Sequence, residues 1–350
     1  MESVKAQVIA KDRVREWIGR LMAEAEVIAP VLAHGWDEVF AAIRSPDEVL
    51  WEFTNPLHPP KQFLLPQTDP VVAIQRGDNG YELEAIVDER RRILLNVRSC
   101  DVTGLAFLRR MHAADLPDDA YLRRAAAVTT ICLACSQPCP LGFCICSSAG
   151  PFAREGFDVQ LSDLGDRLLA EPGSDRGQEL LAAAGSLFRP ATSDELARRY
   201  ELEEQARQRF GEQTCHFASA MRRISTGRVA EDLWASMGDW CLECGACNFV
   251  CPTCYCFNVT DDMALSMNEG TRTRHWDGCQ LADFTLVGHG ENFRDNAAAR
   301  IRHRFHRKFK YHLDEVSEIF CTGCGRCWET CPSEINLVEI ANALSAEEVE

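Results

Sequence analysis

Two stretches of this chain carry a cysteine spacing that points to one kind of chemistry. Cys241-Leu-Glu-Cys244-Gly-Ala-Cys247-Asn-Phe-Val-Cys251-Pro252 reads C-x2-C-x2-C-x3-C-P. The pattern returns as Cys321-Thr-Gly-Cys324-Gly-Arg-Cys327-Trp-Glu-Thr-Cys331-Pro332. Thiolates at these intervals hold 4Fe–4S clusters in bacterial-type ferredoxins. Three cysteines set three residues apart can wrap one face of a cluster, and the fourth, unable to turn back, ligates the neighbouring one. The expected sets are therefore Cys241, Cys244, Cys247 and Cys331 for one cluster, and Cys321, Cys324, Cys327 and Cys251 for the other. Zinc ribbons also use C-x2-C pairs, but they close with four ligands and have no use for the third step and trailing C-P. Gly245 and Gly325 hold equivalent places in the two copies, where a missing Cβ permits close approach or positive φ.

A second group is denser and less regular: Cys132-Leu-Ala-Cys135-Ser-Gln-Pro-Cys139-Pro-Leu-Gly-Phe-Cys144-Ile-Cys146. A third 4Fe–4S cluster, a zinc site, and thiols that simply pack are all readings of it, because no standard ferredoxin run is present. The elements around it say how it would be positioned. Ile93–Arg98 and Val128–Leu133 read as buried strands, with helices expected from about Thr103 to Ala114 and Asp118 to Ala127 between them. Both strands end at cysteines, and sites in open α/β sheets lie beyond the carboxyl ends of strands. Cys100 and the 132–146 group are thereby expected to meet. Residues 1–45 carry helix-like apolar spacing (Val14, Trp17, Ile18, Leu21, Met22), and the prolines of 55–70 predict an irregular segment. Short strands are expected at Phe157–Leu161 and Arg167–Ala170, and helices at 174–188, 192–210, Glu231–Trp240 and Ser333–Leu344.

The expected fold class is α+β or α/β. An N-terminal α/β domain with the irregular cysteine site spans 1–225, and a mainly α-helical ferredoxin-type domain with two clusters spans 226–350. The gap of about seventy residues between the two runs favours this over a minimal βαβ ferredoxin. Cys254, Cys256 and Cys279 lie in that gap without a role; the first two are placed to line a cluster pocket.

Eighteen cysteines without an apparent signal peptide suggest reduced thiols and a cytoplasmic location rather than a disulfide framework. No apolar run of membrane-spanning length occurs. A formal charge of −16 argues against a nucleic-acid binder. The basic run Arg300–Lys310 is read instead as offsetting cluster charge, tuning potential and docking an acidic partner. No C-x-x-C-H occurs, so covalent haem is not suggested. No acid–base pair, nucleophile constellation or G-x-G-x-x-G fingerprint occurs either, so substrate turnover is expected on another chain.

Several stretches recur in the same order in one family: Asn96-Val-Arg-Ser-Cys-Asp101, Phe143-Cys-Ile-Cys-Ser-Ser148, Phe157-Asp-Val with Leu161-Ser-Asp-Leu-Gly165, Cys251-Pro-Thr-Cys-Tyr-Cys256, His275-Trp-Asp-Gly-Cys279, Gly288-His-Gly-Glu-Asn-Phe-Arg294 and the last cysteine run. From about Pro59 to Pro332 the chain resembles the iron–sulfur beta subunit of cytoplasmic sulfhydrogenase-type nickel–iron hydrogenases. The A subunit of anaerobic sulfite reductase belongs to the same family. The resemblance implies an electron-transfer subunit between a flavin-bearing, NAD(P)H-handling subunit and a catalytic redox subunit. It also implies a third cluster on Cys100, Cys135, Cys144 and Cys146, with Cys139 competing for the place of Cys135. Two other functions stand beside this one: a redox enzyme whose N-terminal cluster meets substrate directly, and a non-redox iron–sulfur sensor.

Overall fold

The computed structural model describes residues 6–211 and 215–346. Strand β1 (Gln7–Ala10) runs into helix α1 (Lys11–Glu24), followed by the hairpin of β2 (Glu26–Ala33) and β3 (Asp37–Ala42). A second hairpin, β4 (Thr68–Gly77) and β5 (Gly80–Ala85), precedes the unit β6 (Arg92–Val97), α2 (Ser99–Ala113), α3 (Asp119–Ala126) and β7 (Val128–Leu133). Then come β8 (Val159–Asp163), β9 (Arg167–Pro172), α4 (Asp175–Ala183), β10 (Arg189–Pro190) and α5 (Ser193–Phe210). The remainder holds α6 (Phe217–Ser225), α7 (Glu231–Trp240), α8 (Ala246–Phe249) and the hairpin β11 (Phe257–Met263) and β12 (Glu269–Trp276). It ends with α9 (Ala297–His306), α10 (His312–Val316), α11 (Arg326–Glu329) and α12 (Leu337–Ala346).

Helical spacing over 1–45 is realised only in α1, and residues 1–5 lie outside the described ones. Val27-Ile-Ala-Pro-Val-Leu32 is a continuous apolar run with no helical stripe. It forms a strand, and His34 and Gly35 turn the chain back with positive φ (53° and 82°). The irregular segment of 55–70 ends three residues early, where β4 begins at Thr68. The expected helix over 174–188 stops at Ala183, and that over Ser333–Leu344 begins only at Leu337.

The large sheet has the order β10-β1-β9-β8-β7-β6-β2-β3, with β2, β6, β7 and β8 parallel and the rest antiparallel. Its two faces follow the period of two along each strand. Ile93, Leu95, Ile131, Leu133, Val159 and Leu161 point to one face and pack with Trp17, Ile18 and Leu21 of α1 and Leu181 of α4. Leu94 and Cys132 point to the other, against Val102, Leu105 and Leu108 of α2 and Tyr121 and Ala125 of α3. The result is three layers, α/β/α, with α2 pressed on the face that leads to the cysteines. A separate helical core joins Phe217, Trp234, Ile301, Phe305, Phe309, Leu337 and Ala341.

The region between the ferredoxin runs is not purely helical. β11 and β12 join β4 and β5 in one antiparallel sheet, order β11-β12-β4-β5, so strands from both sides of residues 225/226 share a ladder. A buried ion network ties this sheet to the α/β layer. Asp69 on β4 takes Arg124 of α3 at 2.7 Å and Arg274 of β12 at 2.7 Å, and Arg274 also reaches Asp118. Removing one partner from a buried network leaves a charge without compensation, at a cost of about 3–5 kcal/mol. Asp69→Ala is therefore expected to lower unfolding stability by about that amount. Denaturant titration of the variant beside the parent checks it.

Candidate metal centres

The two ferredoxin loops are built alike. Gly245 and Gly325 each take a left-handed conformation (φ 71° and 80°) immediately before a short helix that carries the third cysteine of its run. Space demands glycine as well: a Cβ on Gly325 would lie 2.4 Å from the Leu141 carbonyl oxygen, and one on Gly245 would lie 2.8 Å from Leu281.

Cys241, Cys244, Cys247 and Cys331 line one crevice, closed by Ile301, Phe305 and Leu337. Cys327 also reaches its wall. In the second group, Cys251, Cys321, Cys324 and Cys327 lie close enough that a charge on Cys251 or Cys327 raises the pKa of both Cys321 and Cys324. The fold thus gathers these cysteines into two adjoining groups, with Cys327 at the border of both.

The third group also assembles. β6 and β7 are neighbouring parallel strands, so Cys100 at the start of α2 meets the loop after β7. Burial first pushes the Cys100, Cys139 and Cys144 thiols up, followed by the Asp101 carboxylate for Cys100 and by the charges of neighbouring cysteines for all three; Cys139 reaches about 12. Those neighbours are Cys324 and Cys144 for Cys100, Cys135 and Cys324 for Cys139, and Cys135, Cys139 and Cys324 for Cys144. The Ser99 hydroxyl sits 3.6 Å from the Cys135 sulfur. Cys139 thus stands with Cys100, Cys135 and Cys144. Cys146 packs toward the helical core beside Cys215. Cys132 faces the core under α2, 3.8 Å from the Gln160 side-chain oxygen Oε1, because the strand's alternation turns it away from the site.

This group is docked directly on the second ferredoxin loop. The Phe143 amide donates to the Gly323 carbonyl at 2.7 Å, and Asn55 donates to the Cys324 carbonyl at 2.9 Å. Arg326, between Cys324 and Cys327, forms a two-pronged pair with Asp101 beside Cys100, at 2.5 and 2.8 Å. Both side chains are fully buried, and Arg326 also donates to the Pro56 carbonyl at 2.7 Å.

The unassigned cysteines gather around one amide. Asn248 donates toward Cys279 at 3.4 Å and toward Cys254 at 3.8 Å. Cys256 lies near Cys279. The basic run divides by helical spacing: Arg300, Arg304 and Lys308, four residues apart, are buried, while Arg302 points out to Glu231. Arg304 lies among Cys247, Cys327, Cys254 and Cys251, and Lys308 reaches Cys251 at 3.2 Å and Thr253 at 2.8 Å. Lys308 sits on a π-helical turn, 307–311, which continues α9. A hydrogen bond from Cys254, then the charges of Lys308, Arg304 and Lys61, hold the Cys251 thiol well below its ordinary value against the effect of burial. Lys61 stands over Trp276 and donates to the Cys254 carbonyl at 2.8 Å. Lys61, Arg304 and Lys308 are buried beside thiols and pair with no carboxylate among the described residues. Buried cations of this kind require anions, and ionised cysteines carrying an anionic cluster fit that need. Spacing shows the cysteines; it does not show Asp101, Arg326, Asn248 or Lys61, whose only signals are their places beside cysteines or in the proline-rich segment.

Residues 240–335 match the 4Fe–4S dicluster domain family, so the chain is an iron–sulfur protein of the dicluster class, with provision for two 4Fe–4S clusters. Over 328 residues it is 31% identical to sulfhydrogenase 2 subunit beta of Pyrococcus furiosus, covering 93% of this chain and 94% of that protein. The chain belongs to the sulfhydrogenase beta-subunit family. No described helix is long and apolar enough to cross a membrane.

Two substitutions test the electrostatics. Lys308→Met removes a positive charge 3.2 Å from Cys251; the cluster held there should become harder to reduce, its midpoint falling by roughly 60 mV, one tenfold change for a one-electron couple. Potentiometric titration followed by electron paramagnetic resonance reads this. Asp101→Asn should cost about 3–5 kcal/mol, because Arg326 is left charged and unpaired. The double variant Asp101→Leu, Arg326→Met should recover part of that loss in the same unfolding measurement.

Proposed function

We propose that this chain is an electron-relay subunit of a multi-subunit cytoplasmic oxidoreductase. It would receive single electrons from, or return them to, a flavin- and NAD(P)H-binding subunit, and exchange them with a hydrogenase-type catalytic subunit. The observation that carries this is the continuity of the three cysteine groups. Cys324 belongs to the second group and lies against Cys100, Cys139 and Cys144; Cys327 belongs to the second group and lines the crevice of the first. Bound 4Fe–4S clusters supply one-electron chemistry. The polypeptide's part is to hold the thiolates, keep water from them with Phe143, Phe305 and Leu337, and place the Arg304 and Lys308 charges beside them.

The ligands we assign are Cys241, Cys244, Cys247 and Cys331 for the first cluster and Cys321, Cys324, Cys327 and Cys251 for the second. For a third cluster they are Cys100, Cys135, Cys139 and Cys144, with Cys139 taking the place the family resemblance gives to Cys146. Cys244 is the one exposed member among the described cysteines, and Trp240 and Leu242 beside it are 70% and 65% exposed. That end of the series is where a partner subunit would dock. A sulfite-reductase-type catalytic partner would change the terminal substrate and leave the relay as it is. A second reading, in which the N-terminal cysteine site meets a small molecule itself, is favoured by a cavity of about 1030 Å³ that Cys135 and Cys139 help to line.

Anaerobically purified chain should contain about twelve irons and twelve acid-labile sulfides, at four per cluster, and about eight of each would reject the third cluster. Affinity purification from the native source should bring down a flavoprotein and a nickel–iron subunit, identified by mass spectrometry. Clusters that fail to take up electrons reversibly would reject the relay in favour of a sensor.

A further inference from the structure

The first ferredoxin run does not stop at Cys251-Pro252. One more C-x2-C step takes it to Cys254, which the cluster assignments leave out. Cys251-Pro252-Thr253-Cys254 is a tight turn, closed by the Cys254 amide donating to the Cys251 carbonyl at 3.4 Å. Proline at the second place of such a turn presets its φ. Three hydrogen bonds clamp the turn. The Thr253 hydroxyl donates to the Phe320 carbonyl at 3.0 Å, Lys308 donates to that hydroxyl at 2.8 Å, and Lys61 donates to the Cys254 carbonyl at 2.8 Å.

The clamp brings two sulfurs to one place. The Lys308 ammonium lies 3.2 Å from the Cys251 sulfur and 3.7 Å from that of Cys254, and the two thiols hydrogen-bond to each other. The side-chain amide of Asn248, a residue 2% exposed, donates toward Cys254 at 3.8 Å. A cysteine that only packs has a different setting: Cys215 belongs to the apolar core of Phe217, Trp234 and Phe309. Cys254 instead meets an ammonium, an amide and a second thiol, groups that favour the ionised sulfur a metal binds. One donor nearby is left over. Arg304 lies among Cys247, Cys251, Cys254 and Cys327, is 7% exposed, and its Nη1 has no hydrogen-bond partner. A buried guanidinium nitrogen left unpaired is costly, and the sulfurs of a cluster on this side would satisfy it.

We propose that Cys254 is a reserve ligand of the second cluster, able to replace Cys251 on the same iron. The inference rests on the assignment of Cys251 to that cluster. In the exchange the bond from iron to the Cys251 sulfur breaks and one to the Cys254 sulfur forms. The proton on Cys254 passes to Cys251 along the hydrogen bond between them, so charge, proton count and oxidation state stay the same. Lys308 serves both ligands, because its ammonium reaches either sulfur. While Cys251 is bound, Cys254 donates its S–H to the bound sulfur, a contact that raises the potential.

The test uses the full, cluster-loaded chain and compares Cys251→Ala, Cys254→Ala and the double variant with the parent, by iron content and by electron paramagnetic resonance after reduction. Cys251→Ala should keep the parent's iron, about twelve per chain, and the signal of a reduced four-iron cluster at the second site. Cys254→Ala should keep them too, with the midpoint of that cluster lowered by loss of the S–H donor. The double variant should lose iron and that signal together. Loss in Cys251→Ala as great as in the double variant would overturn the reserve ligand and leave Cys251 a ligand. Full iron in the double variant would overturn it as well, and with it the assignment of Cys251. Should the alanine variant fail to fold, Cys251→Ser with and without Cys254→Ala gives the same reading, since only a ligating Cys254 makes the second change cost iron.

Discussion

The buried pair of Asp101 and Arg326 joins two parts of the chain that are more than two hundred residues apart in sequence. Asp101 belongs to the first turn of the helix that follows β6; Arg326 starts the short helix inside the second ferredoxin loop. Neither can be solvated, so each is stable as an ion only while the other is in place. The fork geometry of the guanidinium fixes orientation as well as distance. The positions of Cys100, the neighbour of Asp101, and Cys324 and Cys327, which flank Arg326, are therefore set by one interaction. The glycines at 323 and 325 serve the same end. They let the loop of 139–146 press its backbone onto the ferredoxin loop at distances a side chain would forbid.

A second constraint is electrical. The chain as a whole is strongly acidic, yet its cations are brought inside where the cysteines are. Arg304 and Lys308 follow one helical stripe past the first and second groups, and Lys61 approaches from the proline-rich segment. Lys308 lies on the π-helical turn that continues α9, and from there its ammonium reaches Cys251. Burying ammonium and guanidinium groups beside neutral thiols would be expensive; beside ionised thiols they offset charge that is equally expensive to bury. The two costs cancel only together, which couples filling of the sites to stability of the fold.

Much of this was legible from residue order. Strongly periodic elements came through: the unit from β6 to β7, α5, and α7, whose bounds match those expected. The crossed pairing of the two ferredoxin runs follows from chain stiffness around a cluster and needs no tertiary information. What failed did so for identifiable reasons. The helical spacing of Val14, Trp17, Ile18, Leu21 and Met22 does not extend past α1, and the continuous apolar run Val27–Leu32 forms a strand because a buried strand needs no period. The antiparallel sheet that joins β4 and β5 to β11 and β12 pairs segments nearly two hundred residues apart, and register between such segments leaves no local mark. For the same reason the third group could be collected but not resolved. Five cysteines in one loop give no sign of which of them turn inward. The alternation of β7 removes Cys132, and the tight turn from Cys139 to Gly142 brings Cys139 in while Cys146 swings toward Cys215.

The grouping of cysteines also gives the molecule a direction. A file of centres that began and ended at protein surfaces would need two docking faces and no interior chamber. Here one end presents an exposed cysteine, Cys244, close in sequence to the exposed Trp240 and Leu242. The other stops at an α/β sheet whose strand ends border a cavity of about 1030 Å³, lined in part by Cys135 and Cys139. Sheets of this kind acquire such chambers because the diverging loops after parallel strands leave a gap that must be filled by side chains or by a ligand. In this chain the loop after β7 fills it with cysteines on one side only, between the second ferredoxin loop and the open space. The same loop therefore decides both how the third group reaches the second and what it meets on its far side, and a change in its length would alter the two contacts together.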